Sequence, residues 1–170
     1  LMLCILWENK LPRKRLTVGR SFRWLNNLTL VALNSVVIAV VMPIAAVQAA
    51  IIAHENQWGL LNALALPTWL NVLMAVVILD LIIYLQHVVF HRVEPLWKLH
   101  RMHHADLDID VTTGTRFHPL EIILSMMVKV AAVFVLGVHP IAIVVFEIIL
   151  NASAMFSHCN AKLPSTWDVK

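Results

Sequence analysis

The sequence predicts an all-α integral membrane protein of about four transmembrane helices, with a histidine cluster at its cytoplasmic face. Three observations lead there. Hydrophobic residues make up 60% of the 170 positions and charged residues 14%, whereas a soluble domain is roughly 45–50% apolar and about 25% charged. The apolar residues gather into runs long enough to cross a bilayer, which takes ~20 residues. Five of the nine histidines fall within Gln86–Ala105, where one such run ends. The mean hydropathy of +0.79 agrees, and residues 1–170 read as a single membrane domain.

Residues 1–27 read as a basic cytoplasmic flank. Lys10, Arg13, Lys14, Arg15, Arg20 and Arg23 all precede the first long apolar run, and basic residues in short flanks stay on the cytoplasmic side. No aromatic or glycine pattern accompanies them, so a nucleic-acid-binding stripe is excluded. Leu1–Trp7 is too short for a signal peptide, and the basic residues follow it rather than precede it. Because position 1 is Leu, we expect the chain to be part of a longer one.

The first span is expected over 28–53, uncharged and interrupted only by Pro43, which predicts a kink. His54–Pro67 carries Glu55 and no Lys or Arg, which places it outside. There Leu60–Leu66 suits the interface, with Trp58 and Trp69 as belt aromatics. The second span, 68–91, returns to the cytoplasm and carries Asp80. The segment 92–118 is polar, holds Arg92, Lys98, Arg101 and Arg116, and is read as cytoplasmic. Pro119–Phe156 is too long for one span. Gly137-Val138-His139-Pro140 divides it into helices 119–136 and 140–157, a hairpin that brings the tail back to the cytoplasm. Cys4 and Cys159 lie at opposite ends of the chain outside any C-x-x-C pattern and read as ordinary thiols.

The histidines carry the chemistry. His87 and His91 are four apart, one turn on and on one helix face. His100, His103 and His104 repeat that geometry at i, i+3 and i+4. Two such pieces joined by Arg92–Leu99 could surround two ions. A histidine taken alone is more often a surface or hydrogen-bonded residue, but burying five imidazoles without a shared partner is costly, so we assign the group to metal. Asp80, Tyr84, His87 and His91 form one stripe. Asp80 has two readings, an acceptor that orients a ligand imidazole or an ion pair with a neighbouring helix. Pro119 and Glu121 suit a helix start, and His118, at the membrane edge beside them, reads equally as a ligand or ligand support and as neither. Glu147, Asn151 and His158 form another stripe. His158 reaches the face where the cluster lies, as a ligand or as a cation-like cap on the helix dipole. Lys129 lies mid-span and either snorkels or pairs with Glu147. His54 and His139 fall on the opposite face and are excluded from the cluster.

The pattern Asp80-x3-Tyr84-x2-His87-x3-His91, then Leu96-Trp97-x2-His100-x2-His103-His104, then Arg116-Phe117-His118-Pro119-x-Glu121, resembles the fatty acid hydroxylase superfamily, also called the sterol desaturase family. Asn151, Phe156-x-His158-x-Asn160, Leu163-Pro164 and the opening Arg23-Trp24-x-Asn26-Asn27-Leu28 are similar to it as well. The resemblance implies a membrane-bound non-haem di-iron oxygenase. Such an enzyme uses O2 to hydroxylate or desaturate a C–H bond of a lipid, fatty acyl or sterol-like. Its electrons come from a separate donor of the cytochrome or ferredoxin type. By the same resemblance the ligands are His87, His91, His100, His103, His104 and His158, with His118 added. Asp80, Tyr84, Arg116, Glu121, Glu147, Asn151 and Asn160 are the residues expected to support them. Two irons are the implied cofactor, and zinc, which outcompetes ferrous iron in the divalent series, can replace them in purified protein. The membrane is a bacterial inner membrane or the endoplasmic reticulum. The family pattern closes with an H-x2-H-H box after the last span, and none precedes Lys170, so the chain is expected to be truncated. Two rival readings remain, a metal-binding membrane protein without catalysis and an inactive fragment. A transporter is disfavoured, because only Asp80, Lys129 and Glu147 lie deep in the apolar runs.

Overall fold

The computed structural model describes residues 2–163 and is helical, with no strand among them. In chain order the helices are α1 (Met2–Lys10), α2 (Arg20–Val41), α3 (Ala46–Glu55), α4 (Leu60–Ala63), α5 (Thr68–Arg92), α6 (Glu94–His100), α7 (Pro119–Leu136) and α8 (Pro140–Ser157). A 3-10 turn, Thr113–Thr115, sits between α6 and α7. Four stretches are long and apolar enough to cross a membrane: Arg20–Ala63, α5, α7 and α8. Pro164, part of the family resemblance, lies outside the described residues.

The first span departs from the expected 28–53. The helix begins earlier, at Arg20, stops at Val41, and resumes as α3 after a non-helical stretch around Pro43. Proline lacks an N–H and its ring crowds the carbonyl four residues back, so the expected kink is a full break. The early start takes in residues assigned to the basic flank. Arg23 and Asn27 are buried because they face protein, Arg23 meeting Asp110 and Asn27 meeting Thr112. The α7–α8 boundary lies at Gly137, whose φ of +69° is left-handed. There the amides of both Gly137 and Val138 donate to the Val133 carbonyl, a helix ending that glycine adopts without Cβ strain. His118 and His139 cap α7 and α8, each accepting from the amide two residues on.

The apolar core sits at the end of the bundle away from the clustered histidines. Ala46, Ala49 and Ala50 of α3 pack with Ala75 and Leu79 of α5, Val133 of α7, and Ile143 and Phe146 of α8. Where lipid replaces water, helices associate by close packing, which small residues permit. The outward faces remain apolar and exposed, as at Val36, Val77, Val135 and Ile148. Lys129 meets Glu147 at 2.6 Å between α7 and α8, so this cation is paired rather than snorkelling. Paired ions are the usual state of charges inside a span.

The other end of the bundle is polar and is closed by the N-terminal segment. Glu8 of α1 is buried, and its Oε1 accepts from the amides of Val111 and Asn160 at 2.8 Å. Asp108 Oδ2 accepts from the Thr17 and Val18 amides at 2.7 and 2.8 Å. Arg23 reaches Asp106 at 2.8 Å and Asp110 at 2.6 Å, and also the carbonyl of Asp108. The segment between α6 and α7 is thereby fastened to α1, α2 and the end of α8.

Candidate metal centre

α5 ends where its hydrophobic run meets Arg92. Val93 turns the chain, and α6 follows with Pro95 in its first turn. This hairpin folds α6 back toward His87 and His91. The helix stops at His100, so His103 and His104 lie in the turns that follow, with the His103 amide bonded to the His100 carbonyl at 2.9 Å. The sequence spacing implied a continuous helix here. The turn still keeps His100 and His104 facing the α5 pair.

The ligand atoms of His87, His91, His100 and His104 all lie within 4.8 Å of one another. His87 and His91 approach at 3.1 Å between their Nε2 atoms, and His100 and His104 at 3.2 Å. A second pair forms beside them, His103 and His158, again 3.1 Å between Nε2 atoms. The turn after α6 and the last turn of α8 thus each bring one imidazole to a second position.

The outer ring nitrogens decide what this arrangement can hold. His100 Nδ1 lies 2.6 Å from Glu121 Oε1, His103 Nδ1 lies 3.3 Å from the Arg116 carbonyl, and His158 Nδ1 lies 2.8 Å from the Ala154 carbonyl. All three partners are acceptors, so each Nδ1 carries the hydrogen and each Nε2 presents a lone pair. At the His103–His158 pair two lone pairs therefore face each other at 3.1 Å. That arrangement is repulsive unless a cation lies between them. A neutral imidazole whose other nitrogen is held by a carboxylate or carbonyl is how histidines ligate metal, so these residues fit a metal ion. Burial first, then the neighbouring imidazole of His158, pushes the His103 pKa down to about 3. His104 is shifted the same way, by burial and then His100. Both are neutral and ready to ligate at neutral pH.

Neighbouring rings fix the imidazole planes. Phe117 stacks on His103, with centroids 4.7 Å apart and planes at 5°. Trp97 lies against His91 and His104 at 5.2 and 5.7 Å. Gly114 admits the end of α8, since a Cβ there would come within 2.9 Å of the Ala154 carbonyl oxygen and 3.2 Å of His158 Nδ1.

The other expected site residues are distributed as follows. Glu121 orients His100, and Arg116 orients His103 through its backbone carbonyl, while its side-chain Nε donates to the Met102 carbonyl at 3.0 Å. His118 stays outside the cluster, its Nδ1 accepting from the Leu120 amide. Asp80 and Tyr84 are exposed on α5, and among the described residues neither makes a hydrogen bond or ring contact with a ligand imidazole. Glu147 is held by Lys129, and Asn151 bonds back to the Glu147 carbonyl on its own helix. Asn160 exchanges hydrogen bonds with the backbone of Lys14, which ties the end of α8 to the N-terminal segment. His54 and His139 meet each other at the opposite end, 4.6 Å between centroids. Cys4 and Cys159, remote in sequence, are neighbours in space. Burial, then Glu8, pushes the Cys159 thiol up to about 12, so it stays protonated.

Sequence reasoning missed the frame behind the centre: Glu8, Arg23, Asn27, Asp106, Asp108 and Asp110. Two signals carried it. The alternation Asp106-x-Asp108-x-Asp110 puts three carboxylates in a short loop, and Arg23, Asn27 and Asn34 share one face of α2.

Comparison with known proteins adds one match. The family model described as fatty acid hydroxylase matches residues 72–170, more than half of the chain, including all the clustered histidines. No curated protein and no solved structure matches the chain.

Proposed function

The chain belongs to the fatty acid hydroxylase family, and on that footing we propose that it is a membrane-embedded non-haem di-iron oxygenase acting on a lipid C–H bond, by hydroxylation or desaturation. The observation that carries the reading is the convergence of imidazole nitrogens, four at one position and two at the next. His87, His91, His100 and His104 would hold one iron, and His103 with His158 would contribute to a second. When bound, the irons supply activation of O2, fed with electrons by a separate donor of the cytochrome or ferredoxin type.

The chain's own residues do the rest. Glu121 holds His100 in the tautomer that ligates, and the Arg116 and Ala154 carbonyls do the same for His103 and His158. Trp97 and Phe117 keep the imidazole planes from rotating. The exposed apolar faces of α5 and α8 would let a lipid reach the centre sideways from the bilayer. Imidazole ligands suit iron and zinc alike, so zinc in purified protein would not identify the catalyst. By the basic flank and the basic histidine segment, the centre lies on the cytoplasmic side of a bacterial inner membrane or the endoplasmic reticulum.

One observation favours a second reading, a metal-binding membrane protein without oxygenase activity. The second position offers two imidazoles among the described residues where the first offers four. The test is anaerobic ferrous iron per chain, followed by lipid oxidation with O2 and a reductant. About two irons and an oxidised lipid, both lost in His100→Ala and His103→Ala, supports the oxygenase. About one iron and no product supports the second reading.

A further inference from the structure

A cavity of about 450 Å3 opens between the first turns of α2 and the segment that follows His104. Its polar lining consists of Asn26 and Thr29 of α2, Arg116, and the ion-paired Arg23 and Asp106. Arg23 is already taken up by Asp106, Asp110 and the Asp108 carbonyl, and Asp106 by Arg23 and Thr113. The others are unengaged: among the described residues the terminal nitrogens of Arg116, the Asn26 amide and the Thr29 hydroxyl make no hydrogen bond, and Arg116 uses only its Nε, on the Met102 carbonyl. A guanidinium with its outer edge free, beside two neutral donors, is a receptor for an anionic oxygen group.

The same helix face shows what that group is attached to. Phe22, Asn26, Thr29, Leu33, Val36 and Val40 follow one another at spacings of four and three, so they form one stripe. Where it borders the cavity the stripe carries Phe22 and the polar Asn26 and Thr29, and beyond Thr29 it is wholly apolar. Leu33, Val36 and Val40 are 46%, 61% and 76% exposed. At 1.5 Å per residue, Thr29 to Val40 spans roughly 16 Å, the reach of an acyl chain. Lys10, Arg13, Lys14 and Arg15 stand just before this end of α2, and a basic cluster at a membrane surface concentrates anionic lipid.

We propose that this cavity binds one anionic phospholipid, its phosphate on Arg116 with Asn26 and Thr29, and an acyl chain along Leu33, Val36 and Val40. The site is separate from the imidazole cluster but tied to it, because the Arg116 carbonyl orients His103 and its Nε grips Met102. A phosphate on the free edge of Arg116 would steady the segment that carries His103.

The test uses the full 170-residue chain in mild detergent, equilibrated with equal amounts of phosphatidylglycerol and phosphatidylcholine and read by native mass spectrometry. We expect selective retention of one phosphatidylglycerol. Arg116→Gln should weaken it about tenfold, the scale of one charge-assisted hydrogen bond. Arg116→Lys should fall between, since it keeps the charge and loses the planar fork. The exposed double variant Asn26→Leu/Thr29→Leu touches no histidine, so it reads the cavity even if the Arg116 variants fail to fold. It should also weaken retention. Equal retention of both lipids overturns the proposal, as does unchanged phosphatidylglycerol binding in well-folded Arg116→Gln. Tighter binding of oleate than of phosphatidylglycerol would overturn the choice of a phospholipid.

Discussion

Glu121 supplies the sharpest test of how the centre is built. Its Oε1 lies 2.6 Å from His100 Nδ1, and the two side chains are 5% and 1% exposed. The bond is short, charge-assisted and out of water, the circumstances in which such contacts are strongest. Partners of this kind typically change metal affinity 10–100-fold when mutated, or about 1.4–2.7 kcal/mol. Two substitutions divide that range. Glu121→Gln keeps an acceptor oxygen and removes the charge, so affinity should fall about tenfold. Glu121→Leu leaves the Nδ1–H of His100 buried without a partner and should approach a hundredfold. The assay is competition for cobalt or zinc against a chelator in detergent, with helix content checked by circular dichroism. His118→Ala is the reference, since among the described residues the one hydrogen bond of that ring caps α7, and its affinity should stay within twofold. A Glu121→Leu protein that is folded and binds metal like His118→Ala would refute the claim that the carboxylate sets the ligating tautomer of His100.

Four further outcomes are expected. Arg23→Met leaves Asp106 and Asp110 buried without their cation, and should cost about 3–5 kcal/mol, read as a lowered unfolding midpoint in detergent. Lys129→Met strands Glu147 in the apolar bundle and should destabilise it, whereas Lys129→Met/Glu147→Leu should recover most of the loss; a double variant no better than the single would refute this. Gly114→Ala should push the end of α8 and His158 away, weakening metal binding that depends on His158 while binding at the four-imidazole position is retained. Acid should loosen the polar end first. Burial raises the Asp106 pKa, but the hydrogen bond and charge of Arg23 outweigh it and hold the carboxyl below its ordinary value. The native state then binds fewer protons than the unfolded chain, so this stabilisation is present above about pH 4 and is lost as pH falls through the depressed pKa. Arg23→Met should flatten that acid dependence.

Composition and periodicity made the class of the protein legible, because lipid demands long uninterrupted apolar helices and leaves few other solutions. The histidine spacings were equally legible, since side chains four apart on a helix must share a face whatever surrounds them. The break at Pro43 was visible as a site of disturbance but not in its extent, which depends on α3 finding its own packing against α7 and α8. Only tertiary structure could show that Glu121 meets His100 and that His158, 55 positions away, meets His103. Those contacts form between elements that the sequence leaves unoriented. The same holds for Arg23, which reads as a topology-setting charge beside Lys10 and Arg15 until the fold buries it against Asp106 and Asp110. Local pattern determines which residues can face a common partner. Which partner they meet is settled by the packing of helices distant in the chain, where burial makes each unpaired polar group too costly to leave alone.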